Sequence, residues 1–144
     1  MRQRLPLLIV VCLLITPLIR LAGQVSSVPP KRSTQAGVYS AEQAARGQDV
    51  YAGMCKSCHT AASHTGIAFQ KSWEGRPLSE LFGYISTKMP KNEPGSLAAE
   101  EYADVLAYLL KLNQMPVGTT ELPADTTLLG TIRIETAAHK SNHR

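Results

Sequence analysis

Residues 54–60 have the sequence MCKSCHT and contain two of the three cysteines of the chain, one histidine and a methionine. Cys55 and Cys58 are separated by two residues, and His59 follows the second cysteine directly. This CxxCH arrangement is compatible with three kinds of chemistry: a redox disulfide, part of a zinc site, or the covalent attachment of haem. The rest of the chain has to distinguish between them.

Residues 1–23 indicate that the protein is exported. Arg2 and Arg4 precede an apolar run, LPLLIVVCLLITPLI, at residues 5–19. This run is shorter than the about 20 apolar residues of a membrane span, and it fits a secretory signal peptide. Because Leu21 occupies a position where a small residue is preferred before cleavage, an uncleaved N-terminal anchor is the alternative. We expect a periplasmic or otherwise exported protein, attached to the membrane only if this segment is uncleaved.

The charge balance argues against a nucleic-acid-binding protein. The full chain has 15 basic and 11 acidic residues, which gives a net charge of +4. Residues 1–23 contain three of the arginines and no acidic residue, so 12 basic residues remain against 11 acidic ones, or +1. The basic character therefore belongs mostly to the export segment, and no footprint for a phosphate backbone remains.

The first half of the exported part is predicted to contain one helix. Residues 24–38 are polar, with adjacent prolines and no periodicity, which predicts a flexible linker. Ser40, followed three residues later by Gln43, forms a capping-box start for a helix at about 41–52. Residues 60–76 show little regular pattern, so we expect a loop with at most an isolated turn.

Two further helices are predicted downstream. The first begins at Pro77, a favourable first helical position, and ends near Thr87. The second is capped by Ser96 and contains LAAEEYADVLAYLLKL, the strongest amphipathic pattern of the chain. Residues 116–144 are expected to form an extended tail, of which five apolar residues could pack over the core. These five are Leu122, Leu128, Leu129, Ile132 and Ile134.

The three chemistries that the CxxCH motif allows require different structural elements or ligands elsewhere in the chain. A thioredoxin-type pair requires an adjacent βαβ unit, whereas this sequence predicts helices and loops. A structural zinc site requires four ligands, but Cys12 lies in the export segment and the other histidines are poorly placed. In haem attachment, two thiolates form thioethers with the vinyl groups and the histidine ligates iron. The sequence therefore favours one haem c, held by Cys55 and Cys58, with His59 as an axial ligand.

The second face of the iron has four candidate ligands: Met54, His64, Met89 and Met115. Met54 adjoins the attachment segment, and His64 follows it too closely for an easy route around the ring. Met89 and Met115 both precede a proline, which favours extended backbone. Met89 lies between two predicted helices that should flank the haem, whereas Met115 follows the last one. We therefore predict Met89 as the second ligand, which raises the reduction potential relative to a second histidine.

Three stretches of the sequence resemble class I mono-haem cytochromes c: YAGMCKSCH (51–59), SWEGRPLSELFGYISTKMPKNEPGSL (72–97) and EYADVLAYLLKLNQMPVG (101–118). The likeness is closer still to the cytochrome c modules that accompany quinoprotein dehydrogenases in bacteria. It implies an all-α cytochrome c fold, with three to five helices wrapped around one covalently attached haem. The cytochrome c domain would occupy residues 39–118, and residues 119–144 would be a C-terminal extension.

The resemblance also implies that the first and last helices cross. Gly47 would allow their backbones to approach closely, and Tyr102 or Tyr108 would supply the facing aromatic ring. In such modules a hydroxyl residue usually caps the last helix at the position of Ala98. In this chain the cap is therefore expected from Ser96 or from the glycine before it.

The resemblance further implies an apolar surrounding for the haem. Phe69, Trp73, Leu78, Phe82 and the last helix would bury the ring, which disfavours the charged ferric centre. Four lysines could form a positive collar that steers an acidic partner, although scattered solvated lysines are the simpler interpretation. These lysines are Lys56, Lys71, Lys88 and Lys91.

Together these features predict an exported one-electron carrier rather than an enzyme. Iron with two protein ligands has no open position for a substrate. We expect redox proteins as partners, with a dehydrogenase as donor and an oxidase or another cytochrome as acceptor. Two alternatives remain: a haem enzyme or gas sensor with a displaceable ligand, and a haem-free thiol oxidoreductase.

Overall fold

The computed structural model describes residues 32–136. The predicted signal peptide or anchor at 1–23 lies outside the described residues, as do 24–31 and 137–144. Within the described part, no helix is long and apolar enough to cross a membrane. The elements in chain order are β1 (Arg32–Ser33), a 3-10 turn (Thr34–Ala36), α1 (Ala41–Met54), a 3-10 turn (Ala61–His64), α2 (Gly66–Trp73), α3 (Leu78–Lys88), α4 (Ala99–Leu112), α5 (Thr126–Leu129) and β2 (Ile132–Arg133). The predicted all-α class is confirmed.

Helix α1 begins as its sequence predicts and continues slightly further. The Ser40 hydroxyl accepts a hydrogen bond from the Gln43 backbone N–H at 3.0 Å, which satisfies one of the free donors at the helix start. The helix ends at Met54, two residues beyond the predicted end. The CxxCH motif therefore starts on the last turn of a helix.

Helices α1 and α4 cross with their backbones in contact, and the crossing point is Gly47. A Cβ at this position would lie 1.8 Å from the carbonyl oxygen of Asp104. Close by, the rings of Tyr51 and Tyr108 pack with centroids 5.3 Å apart. This confirms the expected close approach at Gly47 and identifies Tyr108 as the facing aromatic residue. Tyr102 instead contacts the loop after α3.

The segment 60–76 corrects the prediction of a loop. It contains a 3-10 turn at Ala61–His64 and the eight-residue helix α2 at Gly66–Trp73. Helix α2 buries a single side chain, Phe69. A helix with one buried residue does not need the repeated apolar spacing of an amphipathic helix, so the sequence gives no signal for it. Packing against the rest of the molecule, and not local periodicity, stabilises this helix.

Helix α3 follows its predicted pattern. The apolar residues of its predicted face are all buried: Leu78, Leu81, Phe82 and Ile85. Pro77 occupies the N-cap and not the first helical position. The helix ends at Lys88, one residue later than expected.

Helix α4 has Ala98 at its N-cap, so the predicted cap at Ser96 or the preceding glycine is wrong. The methyl group of Ala98 cannot accept a hydrogen bond. Instead, the Glu101 carboxylate accepts one from the Ala98 backbone N–H at 2.8 Å. Half of a capping box therefore replaces the missing hydroxyl.

Residues 32–38 belong to the folded body, in contrast with the predicted linker. Strand β1 pairs with β2 in parallel, and the Thr34 hydroxyl both donates to the Glu135 carbonyl and accepts from its N–H, each at 2.9 Å. Val38 is buried as well. The reason is tertiary: the partner strand lies about a hundred residues further along the chain, which no local pattern reveals. We call residues 32–38 and 115–136 together the terminal clasp.

The C-terminal part of the terminal clasp packs over the core largely as expected. Four of the five apolar residues are buried: Leu122, Leu129, Ile132 and Ile134. Leu128 is the exception and is exposed. It lies in the short helix α5, whose N-cap Asp125 accepts a hydrogen bond from the Leu128 N–H at 2.9 Å.

Two polar contacts join the terminal clasp to α1. The buried amide of Gln43 donates to the Leu122 carbonyl at 3.0 Å and accepts from the Leu122 N–H at 2.8 Å. The Arg46 guanidinium forms paired hydrogen bonds of 2.9 Å with Asp104 and of 3.0 Å with Glu121. One face of α1 is thereby fixed to both α4 and the clasp.

Candidate functional site

A cleft opens on the face of the molecule away from the terminal clasp. The end of α1, the turn after it, α2, α3, the loop after α3 and α4 all contribute to its lining. None of its lining residues belongs to residues 32–38 or 115–136. The predicted site residues that line it are Cys55, Cys58, His59 and Met89, together with Phe69 and Trp73.

The CxxCH motif forms a tight turn that continues from α1. The Cys55 N–H donates to the Tyr51 carbonyl at 2.9 Å, and the Cys55 carbonyl accepts from the N–H groups of Cys58 at 3.1 Å and His59 at 2.9 Å. This turn brings the side chains of Cys55, Cys58 and His59 to one cleft.

Both thiols of the motif are free, with Cys55 half-buried and Cys58 exposed. Burial, and to a lesser degree the neighbouring Cys58, raises the pKa of the Cys55 thiol. Redox CxxC pairs show the opposite, a lowered thiol pKa. Among residues 32–136, no three His, Cys, Asp or Glu side chains are grouped as a metal cluster. The Cys55 thiol thus does not show the lowered pKa that is typical of a redox-active cysteine.

Met89 is held in place by its backbone. It caps the C-terminus of α3 in extended conformation, with φ −128° and ψ 153°, and its N–H donates to the Ile85 carbonyl at 3.1 Å. Its carbonyl accepts a hydrogen bond from the Tyr102 hydroxyl at 2.6 Å and from the Gly95 N–H at 3.3 Å. The extended backbone expected before proline is therefore present, and a core tyrosine fixes the loop.

Met115 lies elsewhere. It is 3% exposed, within the core, and it is not part of the cleft lining. Its carbonyl accepts a hydrogen bond from the Tyr39 hydroxyl at 2.7 Å, on the side of the terminal clasp. Of the two methionines that precede a proline, the structure brings only Met89 to the CxxCH motif.

The two other candidate ligands also line the cleft. Met54 is 41% exposed at the end of α1. His64 lies at the end of the 3-10 turn, with its ring centroid 4.8 Å from that of His59. Burial, and then the neighbouring His59, lowers the pKa of His64. His64 therefore lies directly beside the predicted axial histidine.

The walls of the cleft are mainly apolar and aromatic. The rings of Trp73 and Tyr84 pack with centroids 5.7 Å apart, and the Arg76 guanidinium lies 4.9 Å from the Trp73 ring centroid. On α3, Leu81 and Ile85 line the cleft, whereas the predicted pair Leu78 and Phe82 does not. Those two are buried on the core side of the same helix.

The four lysines predicted as a collar are all exposed. Lys91 lines the cleft, but Lys56, Lys71 and Lys88 are not among its lining residues. Among residues 32–136, one lysine of the predicted collar, Lys91, therefore lines the cleft.

The donor set of the cleft fits a covalently attached haem. Two free thiols, two imidazoles (His59 and His64) and two thioethers (Met54 and Met89) line a single apolar space. This set includes the two thiols and the axial donors that haem c requires. The Tyr51 hydroxyl, on a side chain only 5% exposed, has no hydrogen-bond partner among the described residues. An unpaired buried hydroxyl at the cleft wall indicates that the protein alone does not complete this space.

Comparison with protein families gives one match. Residues 42–109 match the model of a family described as cytochrome c oxidase, cbb3-type, subunit III. The matched stretch includes the CxxCH motif, Met89 and most of α4, and covers just under half of the chain. No curated protein and no solved structure matches the chain. The match supports a mono-haem cytochrome c module, and with the helical structure it supports the cytochrome c fold.

Proposed function

We propose that the protein is an exported mono-haem cytochrome c that carries single electrons, with His59 and Met89 as axial ligands. One observation carries the proposal: Cys55, Cys58, His59 and Met89 line the same apolar cleft. The family match over the same region supports a haem c electron carrier independently of this geometry.

Each of the four residues has a distinct role in the proposal. Cys55 and Cys58 would hold the ring through thioether bonds, and His59 and Met89 would ligate the iron. When bound, the haem supplies an iron centre that changes its charge by one electron without bond formation or cleavage in a partner. Occupied axial positions exclude a substrate from the metal, which favours electron transfer over catalysis.

The chain also adjusts the electrostatic surroundings of the site. Phe69, Leu81, Ile85, Val105 and Leu109 line the cleft with apolar side chains. A low dielectric disfavours the more highly charged ferric centre, and a thioether ligand acts in the same direction. We therefore expect a reduction potential above that of a cytochrome with two histidine ligands.

The partners in this proposal are redox proteins. A dehydrogenase, including one of the quinoprotein type, would be the donor, and an oxidase or another cytochrome would be the acceptor. The apolar N-terminal sequence supports an exported, periplasmic location. Co-purification with the native protein would identify the partner.

Two measurements on the purified exported protein test the proposal. A pyridine haemochrome assay should find one covalently bound haem per chain, and its absence would favour a thiol protein. The reduced protein should not bind carbon monoxide at neutral pH. Immediate binding would show an open or displaceable position and favour a haem enzyme or gas sensor.

The ligand assignment has its own test, with a matched pair of methionines. Met89→Ala should abolish the methionine-to-iron charge-transfer band of the ferric protein and allow carbon monoxide binding. Met115→Ala should retain the band, because this side chain packs in the core away from the cleft. The reverse result would assign the ligand to Met115.

A further inference from the structure

The axial histidine of the proposed function has an aromatic neighbour that the ligand set does not use. The ring of His64 lies 4.8 Å from the ring of His59, centroid to centroid, and the two planes are tilted by 56°. This distance is within the range of direct packing between aromatic rings. Among the described residues, the His59 ring has no other aromatic neighbour, and its side chain makes no hydrogen bond.

His64 is itself fixed from a second side by α4. Asn113, at the C-terminus of α4, donates from its side-chain amide to the His64 carbonyl at 2.8 Å and to the Leu109 carbonyl at 2.9 Å. Its amide oxygen accepts from the Gly66 N–H at 3.2 Å. The Asn113 side chain therefore links the last turn of α4 to the backbone of His64 and to that of Gly66, the first residue of α2.

A third contact confines the His64 ring from the side of α1. The Tyr51 ring meets it edge to face, with centroids 6.0 Å apart. Tyr51 packs in turn on Tyr108 of α4. The His64 ring is thus positioned by the two crossing helices, while its other side faces the axial histidine.

We propose that His64 is a positioning residue for His59: its ring sets the rotation of the His59 imidazole about the bond to iron, and Asn113 holds His64 in place. This inference rests on the proposed function. The physical reason is that a metal-ligating histidine is oriented by the groups around its ring, which also influence its strength as a ligand. Without the His64 ring, water would reach His59, stabilise the ferric state and lower the reduction potential.

The experiment compares His64→Ala, His64→Phe and Asn113→Ala in the holoprotein. The readouts are the g values of the ferric electron paramagnetic resonance spectrum, which depend on the orientation of the axial imidazole, and the midpoint potential. We expect shifted g values and a lowered potential in His64→Ala, and a smaller shift in the same direction in Asn113→Ala. His64→Phe retains an aromatic ring and should restore most of the parental spectrum.

Ile67→Ala is the matched control, because this side chain lies in the same segment but is 70% exposed. It should leave both readouts unchanged. Unchanged g values in both His64→Ala and Asn113→Ala would overturn the positioning role while leaving the electron-carrier function intact. If His64→Ala fails to accumulate with haem, the shift in Asn113→Ala and the recovery in His64→Phe decide the question. A wild-type protein without covalent haem would overturn the function and this inference together.

Discussion

The cleft and the terminal clasp lie in different parts of the molecule and are stabilised in different ways. In the cleft, the CxxCH thiols are free, Met54 and Tyr84 are exposed, and the buried Tyr51 hydroxyl has no partner among the described residues. In the clasp, polar groups are paired across long sequence distances, as Gln43 with Leu122 and Thr34 with Glu135 show.

This difference indicates that the two regions depend on different partners. The clasp is paired within the chain itself, whereas on the proposed function the cleft residues pack against the haem. We therefore expect loss of the haem to loosen the cleft while the clasp and the α1–α4 crossing persist. The following predictions test that division, beginning with the largest effect.

Replacing both Cys55 and Cys58 by serine should have the largest effect. No thioether can form, so the haemochrome signal should disappear. Hydrogen exchange should lose protection around residues 54–73 and 88–97, because these segments line the cleft. Segments of the clasp should retain theirs. Helix α4 should do so as well, because it lines the cleft but is also held by its crossing with α1. Uniform loss of protection across both regions would contradict the proposed division.

Gly47→Ala should strongly destabilise the crossing of α1 and α4. The added Cβ would meet a backbone oxygen of α4 at 1.8 Å, and this atom can move only with its helix. We expect a loss in the free energy of unfolding at or above the upper end of the about 1–3 kcal/mol typical of overpacking. Denaturant unfolding measures the loss.

Gly53→Ala is the matched control for that change, on the same helix. A Cβ there meets no atom within 4 Å. Replacing a glycine within a helix by alanine should stabilise the protein by about 0.5–1 kcal/mol. Equal destabilisation by both variants would show that the crossing distance does not matter.

Gln43→Met should weaken the clasp and leave the visible spectrum unchanged. Methionine fills a similar volume but leaves the N–H and carbonyl of Leu122 without the glutamine amide. Unpaired buried polar groups cost about 1–3 kcal/mol each. We expect a total loss of about 2 kcal/mol, the low end for two such groups. The neighbouring Glu121 is exposed, so water can partly replace the hydrogen bonds that Leu122 loses.

The control for this variant is Gln48→Met, at an exposed position of the same helix. Its effect should remain within about 0.5 kcal/mol of zero, as is usual for surface changes. A changed methionine-to-iron band in Gln43→Met would show that the clasp and the cleft are coupled.

The smallest expected effect is on the loss of stability at acidic pH. The hydrogen bonds from Arg46 lower the pKa of Glu121 below its ordinary range. A carboxylate with a lowered pKa stabilises the fold above its unfolded pKa, and this contribution is lost as pH falls through the folded value. Unfolding at a series of acidic pH values should therefore show a shallower loss of stability in Glu121→Gln.

Glu42→Gln is the comparison for the acid measurement, since Glu42 is exposed on the same helix as Arg46. It should retain the acid dependence of the parent protein. An identical pH profile for the parent and Glu121→Gln would show that the exposed ion pair with Arg46 contributes nothing measurable, as many surface pairs do.

The sequence predicts those features of the fold that have a local signal. Helices α1, α3 and α4 each carry a cap or a repeated apolar spacing, and their observed limits lie within a few residues of the predicted ones. The close approach at Gly47 followed from the resemblance to cytochromes c and is confirmed by the backbone contact.

Two of the features that the sequence missed, helix α2 and strand β1, depend on distant partners. Helix α2 buries one side chain, and β1 pairs with a strand about a hundred residues away, so neither has periodicity of its own. The cap of α4 comes from a side chain three residues inside the helix, and not from the capping position. For α2 and β1 the stabilising groups belong to a different part of the fold, whereas the group that caps α4 lies in the helix itself.

The candidate site could be located from the sequence because most of its chemically distinctive residues stand together in one short motif. Two cysteines and a histidine in one motif indicate haem attachment, and the place of Met89 between two predicted helices favours it as the second ligand, which stays a prediction. The role proposed for His64 was not accessible in this way. It follows from the packing of its ring on His59, which the spacing of five residues does not reveal, and from a hydrogen bond that Asn113, 49 residues away, donates to its backbone.

The hydrogen bond from Tyr102 to the Met89 carbonyl has a consequence for the speed of electron transfer. Tyr102 is anchored in the buried face of α4, so the methionine loop inherits the rigidity of the core. A ligand loop held in this way has little freedom to rearrange when the charge of the metal changes. On the proposed function, the reorganisation energy would therefore be small, because the core fixes one geometry for both oxidation states.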